Sequence, residues 1–231
     1  MKTLISMAMI LASACTLGAD YSVGIAPGGL NLYSITEKGV TLVKGSPFAT
    51  PVFDAFPVTP VIAVMNTRHN FVYVLYEHLT SSEARAYIVG LKITEEGLQQ
   101  KWVFQPLDMN PEANSLVELT AGPNYAIAIW TNDFTSPYTG WIINESGQLV
   151  AGVLSQFNGN EHISDHVAPR ENFYYFCHFV GYPGPQTSTV SAYSLDKDAL
   201  DGHAQPPFPQ PQLLFNSTDP VFIESVCNPG Q

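Results

Sequence analysis

The sequence predicts an all-β fold built from repeats, and three observations lead to this prediction. The 231 residues are 45% hydrophobic and 13% charged, which is the balance of a globular protein and not of a disordered chain or a coiled coil. Its 18 prolines and 17 glycines are spread among many Tyr, Phe, Val and Ile residues, which favours short strands joined by tight turns. Related segments also recur about every fifty residues, a period typical of solenoids and propellers.

The N-terminal residues 1–19 have the pattern of a signal peptide. Lys2 supplies the basic start, residues 4–14 are apolar, and small residues end at Ala19 before the polar Asp20. A cut before Cys15 would instead leave a lipid-anchored protein, because residues 12–15 loosely resemble a lipoprotein box. No later apolar run reaches the roughly 18 residues of a membrane helix. We therefore expect a secreted or periplasmic protein, with residues 20–231 as one domain and no transmembrane segment.

The net charge excludes some kinds of partner, and the cysteine content indicates a candidate disulfide. The formal net charge is −11, whereas nucleic acids and anionic membrane surfaces both require a basic face. Neither is expected as a partner. Cys177 and Cys227 are the pair left after the signal peptide is removed, and in an oxidising compartment they can form a disulfide if their geometry allows it. The sequence holds no phosphate loop or dinucleotide fingerprint, so no cofactor is expected.

Two landmarks define the repeat. Residues 35–40 read ITEKGV and residues 93–98 read ITEEGL, each a strand end, a polar turn with Gly and an apolar restart, as in a hairpin. An Asn followed by an aromatic run occurs at residues 70, 124 and 172, and the first aromatics, at 71, 125 and 173, are 54 and 48 residues apart. These runs are apolar at successive positions, which is typical of strands covered on both faces.

Each repeat is predicted to hold four strands, named a to d from the centre outward. The a strands are expected at 61–66, 116–120 and 164–168, the b strands at the aromatic runs and at 21–26, the c strands at 30–36, 86–94, 138–144 and 190–196, and the d strands at 40–46, 98–105, 149–157 and 212–215. The first repeat lacks an a strand, and residues 222–227 align with 61–66. The sequence therefore predicts a β-propeller of about four four-stranded blades, closed by pairing of the C-terminal strand with the N-terminal blade. A truncated larger propeller is the competing interpretation.

One segment also carries a family resemblance. Gly45-Ser46-Pro47-Phe48, followed by the run at Asn70 and a turn with Gly, resembles the repeat of lactonase-like β-propellers. That family includes 6-phosphogluconolactonase and surface proteins with YVTN-type repeats, and the resemblance is best over residues 29–105. It implies a propeller fold, shortened here because the lactonases have seven blades. No set of positions matches a lactonase active site residue by residue.

One face of the predicted propeller gathers polar side chains, because the b–c and d–a connections emerge together there. Loops on a rigid scaffold are where binding residues concentrate, so this acidic face is the expected site for a small molecule or a protein. The residues predicted to bind there are Glu77, His78, Asp133, His162, His178 and Glu224.

Glu118, Asp165 and His166 are the candidates for catalysis near the axis, where one of them could act as general base on a lactone. His162 and His166 also have the spacing of two metal ligands. On a strand, however, residues four apart lie about 13 Å from one another, so no metal site is predicted. The leading hypothesis is a noncatalytic binding or scaffold module, and the alternative is a lactonase-like hydrolase or cyclase.

Overall fold

A computed structural model describes residues 20–49, 58–79, 84–105, 116–130, 139–154, 163–180, 187–203 and 211–227. Over these residues the chain forms four four-stranded antiparallel sheets and two short helices. The predicted all-β class is confirmed.

The sheets follow one another in chain order. The first contains β1 (Asp20–Ala26), β2 (Gly29–Thr36), β3 (Gly39–Leu42) and β4 (Phe48–Ala49). The second contains β5 (Thr59–Met65), β6 (Phe71–Leu79), β7 (Ala84–Thr94) and β8 (Gly97–Phe104). The third contains β9 (Leu116–Ala121), β10 (Tyr125–Trp130), β11 (Thr139–Asn144) and β12 (Leu149–Leu154). The fourth contains β13 (Ile163–Pro169), β14 (Phe173–Val180), β15 (Thr187–Ser194) and β16 (Gln212–Ser217), with helix α1 (Lys197–Leu200) before β16 and α2 (Pro220–Cys227) after it.

The second, third and fourth sheets have the predicted a-to-d order, each strand pairing with the next along the chain. Their first strands lie side by side, because β5 contacts β9 and β9 contacts β13, while β1 contacts β5. Each pair of consecutive sheets shares an apolar core. Leu30 packs in a cluster with Val74, Tyr73 in a cluster with Ala128, and Ile127 in a cluster with Phe176. The sheets are therefore stacked in the order of the sequence.

The first sheet differs from the other three. Both β3 and β4 pair with β2, and β1 pairs with β2 along its whole length. The hydroxyl of Ser46 accepts a hydrogen bond from the backbone N–H of Leu32 (3.2 Å) and bridges the gap between β3 and β4. This sheet consequently has b, c and divided d strands, and within the described residues no a strand pairs with β1.

The C-terminal segment is a helix, so the predicted closing strand at residues 222–227 is wrong. Asp219 caps α2 by accepting a hydrogen bond from the backbone N–H of Val221 (2.9 Å), and Pro220 occupies the first helical position. Val226 packs with Val190 of the fourth sheet and not alongside Val23 of the first. Residues 222–227 therefore do not close a ring by pairing with β1.

A disulfide fixes this helix to the fourth sheet. Cys177 of β14 is bonded to Cys227 of α2, with Cα atoms 6.0 Å apart, which confirms the pairing that the sequence left open. Ile223, Val226 and Cys227 are buried against the sheet. Helix α2 thus covers the outer face of the last sheet in the stack.

Candidate functional site

The predicted catalytic residues lie where the third and fourth sheets meet. Glu118 is on β9, and its Oε2 accepts a hydrogen bond from the backbone N–H of Val167 on β13 (2.9 Å). Asp165 and His166 directly precede Val167, and in the sheet register they pair with His178 and Cys177. The structure therefore brings the Glu118 carboxylate to the strand that carries Asp165 and His166, where it ties two sheets together.

Glu77 and His78 lie at the end of β6, as predicted. Glu77 pairs with Thr59 and Ala86, and His78 pairs with Arg85. Glu77 is half-buried, and this burial raises the pKa of its carboxyl group above the ordinary value. His78 is buried. Both residues are thus at least partly buried, near the C-terminal end of β6.

The remaining predicted binding residues are dispersed. Glu224 was expected beside the axis on an inner strand, but it lies exposed on α2, so that placement is wrong. Asp133 and His162 fall outside the described residues, as do most loops of the predicted acidic face. Among the side chains that the structure describes, no group of three or more His, Cys, Asp and Glu residues could hold a metal ion.

At the opposite ends of the strands, in the a–b turns, a polar hub that the sequence did not reveal joins the second and third sheets. Asn66 is 1% exposed, and its Nδ2 lies 2.8 Å from Asn70 Oδ1, 2.9 Å from the Pro123 carbonyl oxygen and 2.8 Å from Glu145 Oε1. Its Oδ1 accepts hydrogen bonds from the backbone N–H groups of Asn70 and Phe71. One side chain therefore joins the a–b turn of the second sheet to two turns of the third.

The Asn that precedes each aromatic run has a structural role in the same turns. Its backbone carbonyl oxygen accepts a hydrogen bond from the c strand or the turn that follows it, at residues 93, 145 and 195 for Asn70, Asn124 and Asn172. The repeated Asn therefore marks where a backbone hydrogen bond joins the a–b turn to the end of the c strand. It is part of the scaffold and not of a ligand site.

Aromatic side chains also cross from one sheet to the next. The indole Nε1 of Trp102 donates to the carbonyl oxygen of Glu145 (2.7 Å), and its ring covers Gly147 in the c–d turn of the third sheet. In the same way the ring of Phe48 covers Gly97 in the c–d turn of the second sheet. Gly39 has the same position in the first sheet, and a Cβ placed there meets nothing within 4 Å.

That open turn belongs to an exposed sheet face. Ile35 pairs with Val40, and Tyr33 pairs with Leu42, so these four side chains share one face of the first sheet. Val40 is 64% exposed and Leu42 is 52% exposed. The opposite face of the same sheet packs on the second sheet through Leu30. We call the exposed face, defined by Tyr33, Ile35, Val40 and Leu42, the back face of the first sheet.

A cavity of about 410 Å³ lies at the edge of that sheet, between β1 and the turn that follows β5. The Nδ1 of His69 lies 3.3 Å from the carbonyl oxygen of Tyr21, and His69 has a positive φ of 54°. The cavity is lined by Tyr21, Ser22, Val23, Ala63, Met65, Asn66, Thr67 and His69. Sequence reasoning missed these residues, although the absent first a strand pointed to this place.

Neither of the two helices that the structure describes is long and apolar enough to cross a membrane. No protein-family model matches the chain, and a comparison with characterised proteins finds no similar sequence.

Proposed function

We propose that this chain is a noncatalytic binding or scaffold module of the β-propeller type, secreted or periplasmic, in which the four sheets are the blades. The blade assignment is supported by the a-to-d strand order and by the contacts between consecutive first strands. It is supported further by the resemblance of residues 29–105 to lactonase-like propeller repeats. A disulfide between Cys177 and Cys227 fits an oxidising compartment.

The observation that carries the proposal is the unequal covering of the two ends of the stack. At one end, helix α2 packs on the outer face of the fourth sheet and buries Cys177 and Val190, whereas Leu213 and Phe215 of the last strand β16 stay exposed. At the other end, the back face of the first sheet presents Ile35, Val40 and Leu42 to solvent. Contiguous apolar side chains on the surface of a soluble protein mark sites where a partner binds. This end of a rigid stack therefore favours a binding role, with a protein or a small molecule as ligand.

The contacts of Glu118 argue for the noncatalytic alternative. A general base must be within hydrogen-bond reach of the proton that it removes. The Oε2 of Glu118 is instead held by the backbone N–H of Val167, which joins the third and fourth sheets. We expect Glu118 to contribute to the stability of that junction and not to a reaction.

A hydrolysis assay tests the proposal. The full chain should hydrolyse gluconolactone and an acyl-homoserine lactone no faster than buffer, and Glu118→Gln and His166→Ala should leave that background unchanged. The conservative Glu118→Gln variant should instead lower the midpoint of thermal unfolding. Lactone turnover by the wild type that either substitution abolishes would overturn the noncatalytic assignment.

A further inference from the structure

The β1 edge that faces away from β2 carries backbone groups at alternate residues. The carbonyl oxygen of Tyr21 lies on that side, where it meets His69 Nδ1. Leu32, the partner of Val23, directs its carbonyl to the N–H of Val43 on the far side of β2 (2.8 Å). Val23 and Leu32 are thus a non-hydrogen-bonded pair, and the N–H and C=O groups of Val23 point away from β2. Ile25 is two residues further along the strand, so its N–H and C=O groups also point away from β2.

The other three sheets show what normally lies beside such a strand. The aromatic b strands β6, β10 and β14 each pair on one side with an inner strand, β5, β9 or β13, and on the other side with a c strand. β1 has the c-strand partner alone among the described residues. The cavity lined by Val23, Ala63 and Met65 lies at this same edge. The first sheet therefore lacks an a strand beside an open cavity that has both apolar and polar lining residues.

We propose that β1 binds an extended segment of a partner protein, which adds to the first sheet as its missing antiparallel a strand. The inference rests on the proposed function, because it assigns the ligand class of the binding module. Strand addition to a free sheet edge uses backbone hydrogen bonds for affinity and side-chain pockets for specificity. Here Val23 and Ile25 supply the backbone groups, and the cavity supplies the pocket.

The inner strand of the neighbouring sheet, β5, contacts β1 and indicates the chemistry of that segment, whereas β9 and β13 carry charged residues. β5 contains Val61-Ile62-Ala63-Val64-Met65, a run of aliphatic residues without charge. The cavity offers Val23, Ala63 and Met65 to such side chains, and Ser22 and Thr67 at its polar rim. Since the chain has a net charge of −11, a segment with basic flanks is favoured over an acidic one. We expect an aliphatic, β-branched strand between basic residues.

The probe is a fluorescein-labelled peptide with the sequence of residues 61–65 and lysines at both ends, measured by fluorescence anisotropy against the full chain. In the protein, Val23→Pro removes an N–H that points to the free edge, so the ladder with β2 keeps its hydrogen bonds. Val23→Thr keeps the N–H and the branched shape, and it is the matched control. A peptide with Pro in place of its central Ala removes a backbone donor from the other strand of the expected ladder.

The wild type and Val23→Thr should bind the peptide with similar affinity, and Val23→Pro should bind it roughly tenfold more weakly or worse. The Pro-containing peptide should fail to bind the wild type. Absence of peptide binding, or equal binding to wild type and Val23→Pro, would overturn the inference. Because lactone turnover is measured separately, loss of this inference alone leaves the noncatalytic assignment standing.

Hydrogen exchange on the wild type gives a readout that does not depend on how well Val23→Pro folds. Peptide binding should slow exchange of the Val23 and Ile25 amides, whereas the Ser22 and Gly24 amides, which already face β2, should change little. Protection that appears on another strand, or loss of protection in β5 through displacement by the peptide, would contradict the assignment to β1.

Discussion

Cys177 and Cys227 join the centre of the last sheet to the C-terminal helix across a sequence separation of 50 residues. The bond holds α2 over Val190 and Tyr175, which would otherwise form a second exposed apolar face. One end of the stack is therefore partly covered by a helix, and the other end has an uncovered sheet face.

Replacing Cys227 with Ser should destabilise the fold by about 2–4 kcal/mol, because the unfolded chain gains the freedom that the crosslink removed. It should also increase binding of the apolar dye ANS, since α2 can then leave the fourth sheet. Urea unfolding followed by circular dichroism measures the first effect, and dye fluorescence measures the second.

Val221→Ser serves as the control for that experiment, because Val221 lies on the same helix and is 76% exposed. It should change stability by less than about 0.5 kcal/mol. Reduction of the wild-type disulfide should reproduce the Cys227→Ser result. Equal stability of the reduced and oxidised proteins would show that the bond does not hold α2 in place.

Asn66→Ala should cost about 1–3 kcal/mol in the free energy of unfolding, because it leaves the buried N–H of Phe71 and the part-buried N–H of Asn70 without their acceptor. Asn66→Asp retains that acceptor but places an oxygen against the Pro123 carbonyl and Glu145, where Nδ2 donated. The Asp variant should therefore also be less stable than the wild type at neutral pH. Urea unfolding of both variants decides this, and wild-type stability of either one would rule out the hub.

Gly147→Ala should be markedly more destabilising than Gly28→Ala. Both residues have a positive φ, 79° and 88°, so both substitutions carry a similar backbone cost of roughly 1 kcal/mol. A Cβ at position 147 also meets the Trp102 ring, whereas at position 28 it meets nothing within 4 Å. We expect the difference between the two to be about 1–3 kcal/mol in thermal or urea unfolding. Similar values would mean that Trp102 moves aside freely.

The half-buried carboxyl group of Glu77 should make stability fall as the pH rises. Because burial raises its pKa in the folded state above the ordinary 4.5, the folded protein binds a proton that the unfolded chain has released. Stability is thus highest below the unfolded pKa and declines as the pH rises through the folded pKa. Glu77→Gln should be more stable than the wild type at pH 7, and that advantage should shrink below pH 4.5.

The measurement is urea unfolding of both proteins across this pH range. Glu95→Gln, at an exposed turn residue, controls for the loss of one negative charge. A difference between wild type and Glu77→Gln that does not vary with pH would contradict the effect of burial on this carboxyl group.

Much of the strand pattern was predictable because it depends on local chemistry. The turns at Gly39 and Gly97 have positive φ angles of 121° and 115°, which explains why ITEKGV and ITEEGL both have Gly at the fifth position. The apolar run that begins at Phe71 is buried from both sides, as its uninterrupted hydrophobicity indicated. Strand order followed from these two landmarks.

The C-terminal helix also has local sequence signals, but the alignment of the repeats favoured a strand over the same residues. Asp219 and Pro220 are a helix N-cap and a first helical residue, and the buried Ile223, Val226 and Cys227 have helical spacing. Residues 222–227 also fit the position of an a strand in the repeat. As a helix, these residues gain the capping bonds of Asp219 and pack on the fourth sheet. To form the predicted strand, they would have to reach the free edge of β1 at the other end of the stack.

The sequence by itself determined the all-β class, the repeat and most strand positions, because turn residues and hydrophobic periodicity act over a few residues at a time. Only the tertiary structure decided which surfaces are open. Residues far away in the chain decide whether the Asn66 side chain contacts a ligand or another turn. They also decide whether β1 pairs with one strand or with two. Those contacts form when the sheets stack, so no local pattern around Asn66 or Val23 could disclose them.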